Sequence, residues 1–249
     1  MKIFGSTYHK TGTALINLII KEIVPGIYKK YTLLSGELPL KKEEQNILYR
    51  ENIFAFFHGS KYGDVCENIK NFKAIHCIRN PFEVVVSGYN YHKKCNEDWC
   101  ISPKFKNYEK TYQNIVNELP VDDGLNFEIK YVGGNTITQM TSFKYYDDPR
   151  FLVLTMEDFF TDYDLQITKI AEFLNLDVKQ SIKKAKKHDK NSNKCKYANS
   201  KNNIHMTNTS SEIYKYPKIL SQEHKNKILE IVKKNQTFDF MKRFNYKEN

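Results

Sequence analysis

"KIFGSTYHKTGTALINLIIKEIV", residues 2–24, passes from a short apolar run to a longer one through a polar loop, and the reading of that loop governs the reading of the chain. Lys2 to Phe4 reads as a strand. Ala14 to Val24 is apolar on nearly every side, as expected of a helix buried against a sheet. The intervening "YHKTGTAL" (8–15) is therefore a strand-to-helix junction. The backbone N–H groups of a first helical turn have no intrahelical partner, and the helix dipole adds partial positive charge, so the junction suits an anion, phosphate above all. Gly12 lets the backbone come close to a ligand, Thr11 and Thr13 offer hydroxyls, and Lys10 adds a full charge. The stretch is not a Walker A loop: Lys10 stands where that motif, counted from Gly5, needs its second glycine. An ordinary turn capped by threonine would use the same residue types.

The rest of the chain repeats the alternation of strand and helix. In "NIFAFFHGS" (52–60), Ile53 to Phe57 reads as a second buried strand stopping at His58-Gly59, with a polar helix to follow over Lys61 to Lys70. "FKAIHCIRN" (72–80) is a third strand ending at Arg79. Asn80-Pro81 then supplies the cap and first position of a helix in "FEVVVSGYNYHKK". Residues 25–51 are mixed and polar. An aromatic-rich insertion spans about 96–150, with helices expected near 105–119 and 134–146. "RFLVLTMED" (150–158) is the fourth strand, and "YDLQITKIAEFLNL" an amphipathic helix after it. A basic, Asn/Ser-rich stretch reads as a mobile loop over about 189–220; a helix capped by Ser221 covers 222–235, and Phe238, Phe240 and Phe244 form an aromatic tail. This order predicts one α/β domain over 1–249, with a central, mostly parallel sheet flanked by helices. In such sheets ligands gather at the carboxyl ends of the strands, where Lys10, His58 and Arg79 would share one rim.

Length and composition narrow the class. At 249 residues the chain can bury a sizeable core without disulfides or metals. Its five cysteines, Cys66, Cys77, Cys95, Cys100 and Cys195, are odd in number and lack paired CxxC spacing, so a reducing compartment, the cytoplasm, is expected, with no zinc site. No signal peptide or membrane span is read, since "ALINLII" is too short to cross a bilayer. A net charge of +10 favours acidic ligands, but scattered lysines supply most of it, as on a solvated surface.

"HCIRNPFEVVVSGYNYH" (76–92) adds Ser87 eight residues beyond Arg79. Together with "YHKTGTAL" it resembles the cytosolic and bacterial sulfotransferases that use 3'-phosphoadenosine 5'-phosphosulfate (PAPS). That resemblance implies a P-loop-like fold in which Lys10, Thr11, Gly12, Thr13 and Ala14 hold the 5'-phosphosulfate, and Arg79 with Ser87 holds the 3'-phosphate. "HGS" (58–60) is similar to the family's catalytic-histidine position, which implies His58 as general base and Lys10 as the residue stabilising the leaving group. "LVLTMEDFFTDYDLQITKIAEFLNL" (152–176) also resembles a family segment. The chain departs from the family at Leu15, where tryptophan is frequent, at Met156, where tyrosine is frequent, and in lacking the C-terminal Arg-Lys-Gly and Gly-Asp-Trp pattern. One of the lysines between Lys194 and Lys201 would have to substitute.

The expected reaction is sulfuryl transfer from PAPS to a hydroxyl or amine of a small-molecule acceptor, releasing 3',5'-adenosine bisphosphate (PAP), without a metal. Tyr8, Phe57, Tyr89 and Trp99 are candidates to line the acceptor pocket, with core packing as their ordinary alternative. His9 and His76 rival His58 as the base, but His9 sits inside the anion loop and His76 inside a strand. Glu157 and Asp158 read as braces for the loop after their strand. Two other classes compete. A nucleotide-dependent phosphotransferase would need the missing glycine and Mg²⁺. A non-catalytic polyanion binder would need clustered arginines interleaved with exposed aromatics, so nucleic acid is not expected as a partner.

Overall fold

Among the residues that the computed structural model describes, 1–33, 42–59, 67–189 and 214–247, five strands lie side by side and all run parallel. They are β1 (Lys2–Thr7), β2 (Lys29–Leu33), β3 (Ile53–His58), β4 (Phe72–Ile78) and β5 (Phe151–Thr155), in the order β2-β3-β1-β4-β5. The chain fills the positions on one side of β1 with β2 and β3, then crosses to the other side with β4 and β5. The carboxyl end of β1 is therefore the topological switch point of the sheet. Register places Thr7 opposite His58 on one flank and Cys77 on the other.

Contacts divide the described residues into two compact units, Met1–Arg79 with Lys144–Asn199 and Asn80–Phe143 with Ser200–Asn249. The first holds the sheet. Its inner strand β3 is a near-continuous apolar run, as a strand covered on both faces must be, and Ile53 to Phe57 are all buried. Helix α1 (Thr13–Ile23) buries Ile16, Ile19, Ile20 and Ile23, the spacing of one helical face. These meet Phe54, Phe56, Ile75 and Leu154 of the sheet, and Phe159, Ile167, Ile170 and Leu174 of two later helices. Burying each such isoleucine contributes about 1.5–3 kcal/mol. Gly5 permits this approach, because a Cβ there would lie 2.7 Å from Phe56 Cδ2 and 3.0 Å from Ile20 Cδ1.

Between these elements α2 (Lys42–Leu48) precedes β3. The second unit opens with α3 (Pro81–His92), begun as its sequence predicts: the Asn80 side chain accepts from Phe82 N at 2.9 Å, and proline occupies the first turn. Helices α4 (Asp98–Ile101), α5 (Tyr112–Glu118), α6 (Val121–Glu128) and α7 (Gly134–Thr141) follow, the last two joined through a π-helical turn, Ile129–Gly133. Fully buried Glu128 accepts from Tyr112 Oη at 2.7 Å and from His92 Nδ1 at 2.8 Å. The chain returns to the first unit with α8 (Met156–Thr161), α9 (Tyr163–Leu174) and α10 (Val178–Ala185). It ends in the second with α11 (Tyr216–Ile219), α12 (Gln222–Asn235) and α13 (Phe240–Arg243). Ser221 caps α12 as expected, in a reciprocal box with His224.

Three expectations are corrected. The polar stretch 25–51 contains the edge strand β2, whose Lys29 and Lys30 conceal it from a search for apolar runs. The fourth strand stops at Thr155, which caps α8 by accepting from Asp158 N, so Met156 to Asp158 are helical. The helices near 105–119 and 134–146 are α5 and the α6–α7 run, with different limits. The basic loop, its lysines 194–201, Cys66, Cys195 and most of the Lys61–Lys70 helix lie outside the described residues. No helix among the described residues is long and apolar enough to cross a membrane.

The core carries one titratable group with a measurable signature. His76 on β4 lies opposite Ser6 of β1, and Ser6 Oγ and His76 Nδ1 share a hydrogen bond of 2.8 Å. Full burial pushes the imidazole pKa down to about 3 from its ordinary 6.5. Below pH 6.5 the unfolded chain takes up a proton that the folded chain refuses. Stability from this group is therefore complete above pH 6.5 and falls with decreasing pH towards 3, by at most about 1.4 kcal/mol per pH unit. Urea unfolding between pH 7.5 and 5 should show this slope, and His76→Gln should flatten it. An equal slope in the variant would assign it to other groups.

Candidate active site

The loop after β1 is held by its own threonines. Thr11 N donates to Tyr8 O at 3.2 Å, and Tyr8 N donates to Thr11 Oγ1 at 2.8 Å. The Thr11 hydroxyl lies 3.1 Å from Tyr8 O and 3.0 Å from Cys77 O, acceptors for its single proton. The hydroxyl that sequence reading offered to a ligand is thus engaged within the loop and with the end of β4. Thr13 Oγ1 lies 2.7 Å from Thr7 Oγ1, which pins the start of α1 to the end of β1.

These bonds force an unusual backbone between them. Lys10 has φ 62° and Gly12 φ 99°, both in the left-handed region. Only glycine adopts the second without strain. A Cβ at Gly12 would also lie 2.6 Å from Met156 Sδ. The close approach that Gly12 allows is therefore real on the protein side, with Met156 as the packing surface behind it. Gly12 caps α1 without a side-chain acceptor, and its carbonyl accepts from Ile16 N at 3.0 Å.

Arg79, one residue past β4 and 8% exposed, donates through Nη1 to Lys10 O at 3.1 Å. Its Nε stands 3.9 Å from Oε1 of buried Glu157, an ion pair too long for a hydrogen bond. Glu157 is in reach because β4 pairs with β5, Ile78 facing Thr155, so the residues following each strand are neighbours. Sequence reading had Glu157 bracing a loop and did not connect it to Arg79; the order of strands supplies the missing link. Cys77 is buried below the loop, where burial pushes its thiol well above the ordinary range, with Glu157 adding to the effect.

Lys10, His58 and Arg79 thus follow or end three adjacent parallel strands. The His58 side chain lies outside the described residues; its backbone closes β3, and Gly59 N donates to Thr7 O at 2.9 Å. His76, the rival base, is a core group bonded to Ser6. Ser87 is on α3 in the second unit, 3% exposed. The four aromatic candidates divide between the units. In the first, Tyr8 packs edge-on against His76 at 5.3 Å and Phe57 against Phe4 at 5.4 Å, both buried. In the second, Tyr89 is buried beside Gly124, while Trp99 is 39% exposed, packs on His92 and Tyr112, and donates to Glu97. Among the described residues no three His, Cys, Asp or Glu side chains are grouped to hold a metal ion.

Comparison of the whole fold with solved structures returns sulfotransferases. The mouse sulfotransferase SULT7A1 complexed with PAP superposes over 98% of this chain and 86% of its own, at 18% identity and a TM-score of 0.64. A retinol dehydratase in complex with androsterone and the inactive cofactor PAP covers 96% of this chain and 82% of its own, at 14% identity and a TM-score of 0.55. At these identities the likeness is one of fold. A comparison of the sequence with functionally characterised proteins finds no match. The family model of the sulfotransferase domain matches residues 66–245, which include Arg79 and Ser87 and begin after the β1 loop and His58. Because that match spans well over half of the chain and agrees with the parallel sheet and its switch-point loop, the protein belongs to the sulfotransferase domain family.

Proposed function

We propose that the protein transfers a sulfuryl group from PAPS to a hydroxyl or amine of a small-molecule acceptor, by in-line displacement with His58 as general base. The observation that carries this reading is the left-handed Lys10–Gly12 loop at the switch point, flanked in register by His58 and held by buried Arg79. The residues suit a nucleotide with phosphates at both ends. The β1 loop presents glycine, lysine and a helix start to one anion. Arg79, a buried guanidinium one residue past the end of β4, carries the charge and fork geometry that suit a second. Both solved relatives were crystallised with PAP, in keeping with this assignment.

Bound PAPS would supply the activated sulfuryl group. The protein's part is to position it and to neutralise charge, as in phosphoryl transfer. Neutral His58 accepts the proton of the acceptor's nucleophile; imidazole is the side chain whose ordinary pKa lies nearest neutrality. Lys10 stabilises charge on the leaving oxygen. Backbone N–H groups from Gly12 to Ala14 receive the 5'-phosphate, Thr11 and Thr13 keep the loop in shape, and Arg79 with Ser87 receives the 3'-phosphate. One relative's complex with androsterone as well as PAP is in keeping with a small-molecule acceptor. The free thiols Cys77, Cys95 and Cys100 fit a reducing compartment such as the cytoplasm.

Thermal shift separates this reading from its competitors. PAP should raise Tm strongly, while ATP with Mg²⁺ and single-stranded DNA should not; a shift with ATP alone would favour a phosphotransferase. His58→Asn should lower turnover by about 10² to 10⁴ and leave PAP binding within a few-fold, in a steady-state assay with labelled PAPS. Near wild-type turnover would remove His58 from the mechanism. Arg79→Ala should erase most of an at least tenfold preference for PAPS over adenosine 5'-phosphosulfate, and Ser87→Ala a smaller part, since hydrogen bonds to a charged group are worth about 1.5–3 kcal/mol each. Equal losses for both nucleotides, measured by calorimetry, would refute the 3'-phosphate assignment.

A further inference from the structure

Helix α3 carries a buried carboxylate one turn before Ser87. Glu83 is 1% exposed and Ser87 3% exposed, and their i, i+4 spacing puts them on one face of the helix. Burying a carboxylate is costly unless donors compensate its charge. Two consecutive backbone groups do so here: Tyr216 N donates to Glu83 Oε1 at 2.8 Å, and Lys215 N donates to the same oxygen. Phe82 covers the contact, its ring centroid 4.8 Å from that of Tyr216, and Tyr216 Oη donates to Lys247 O at 3.1 Å. The start of the C-terminal helices is thus fastened to α3 by one acidic side chain.

The geometry points to Glu83 as a positioning residue for nucleotide binding: by accepting from Lys215 and Tyr216 it holds the C-terminal segment on α3 and keeps a hydrogen-bonded carboxylate, instead of a bare one, next to Ser87. The inference rests on the reading of Ser87 as a 3'-phosphate contact. A bare negative charge one turn from a phosphate would oppose binding, and the interaction is strong where water is excluded. Neither the family match nor the fold comparison assigns Glu83 a role.

Three substitutions in the full-length protein separate anchor from charge. Glu83→Gln keeps an acceptor for both amides and removes the charge, so KM for PAPS should stay within about threefold of wild type. Glu83→Ala removes the acceptor. Glu83→Asp withdraws the carboxylate by one methylene while retaining its charge. Loss of hydrogen bonds to a charged acceptor predicts a rise of about tenfold or more in KM for PAPS and in Kd for PAP in both, largest in Glu83→Asp, with kcat changed less than threefold. Amide exchange at Lys215 and Tyr216 should quicken in Glu83→Ala and Glu83→Asp and stay slow in Glu83→Gln. Unchanged exchange in Glu83→Asp would overturn the anchor; quickened exchange with unchanged PAP affinity would overturn the positioning role. If Glu83→Ala does not fold, the Gln and Asp variants decide between the same outcomes. A wild-type protein that ignores PAP would instead overturn the reading of Ser87 and this inference with it.

Discussion

The parallel pairing of β1 with β3 on one side and β4 on the other is the constraint from which the site follows. A strand placed in the middle of a parallel sheet must leave it through a loop bordered by the ends of both neighbours. In this chain the pairing brings His58, the end of β3, and Cys77, next to the end of β4, opposite Thr7. The loop then borrows its fixation from the neighbours, because the Thr11 hydroxyl reaches Cys77 O and Arg79 reaches Lys10 O. Catalytic residue types become informative only once this pairing has set them side by side.

Fixation of the loop exacts a conformational toll at two residues, and the chain meets it differently at each. At Gly12 the left-handed backbone is free of steric cost because no Cβ is present, and Met156 fills the space that a Cβ would need. At Lys10 the backbone is also left-handed, in a residue type that seldom adopts it, and its carbonyl is held by Arg79. Strain held in place by surrounding bonds is a frequent companion of ligand sites. Glu157 completes the arrangement by setting a negative charge near Arg79, which keeps a buried cation from standing uncompensated.

What could be read from the sequence was whatever depended on local pattern. The strand-loop-helix at the start, the cap of α3 by Asn80, the Ser221 cap and the apolar strands β3 and β4 all carry their signal within a few residues. The edge strand β2 did not, because an edge strand tolerates lysine and its "KKYTL" offers little hydrophobic contrast. The limit of β5 was misjudged because Thr155 serves both as its last residue and as the cap of α8. Within the site, Lys10 and Arg79 were legible as charges at strand ends. Their mutual bond, the Glu157 ion pair and the Ser6–His76 hydrogen bond were not, since each joins residues far apart in sequence that only strand order and register bring together. The aromatic candidates are ambiguous for a related reason: Tyr8, Phe57 and Tyr89, all buried, have the same composition signature whether they line a pocket or fill a core.

Gly5 sets a different kind of limit. Its hydrogen occupies the gap between the Phe56 ring and the Ile20 side chain, so positions 5, 20 and 56 share one fixed volume. Close packing makes such a volume a shared property of the three residues. Divergence of this chain at position 5 therefore has to proceed in step with a smaller side chain at position 56 or 20, and the order of substitutions matters. Shrinking Phe56 first opens a cavity that a later alanine at position 5 partly refills, whereas enlarging Gly5 first forces the strand carrying the anion loop away from α1. One missing methyl group in the middle of β1 thus restricts which neighbouring sequences can be reached without moving the loop at its end.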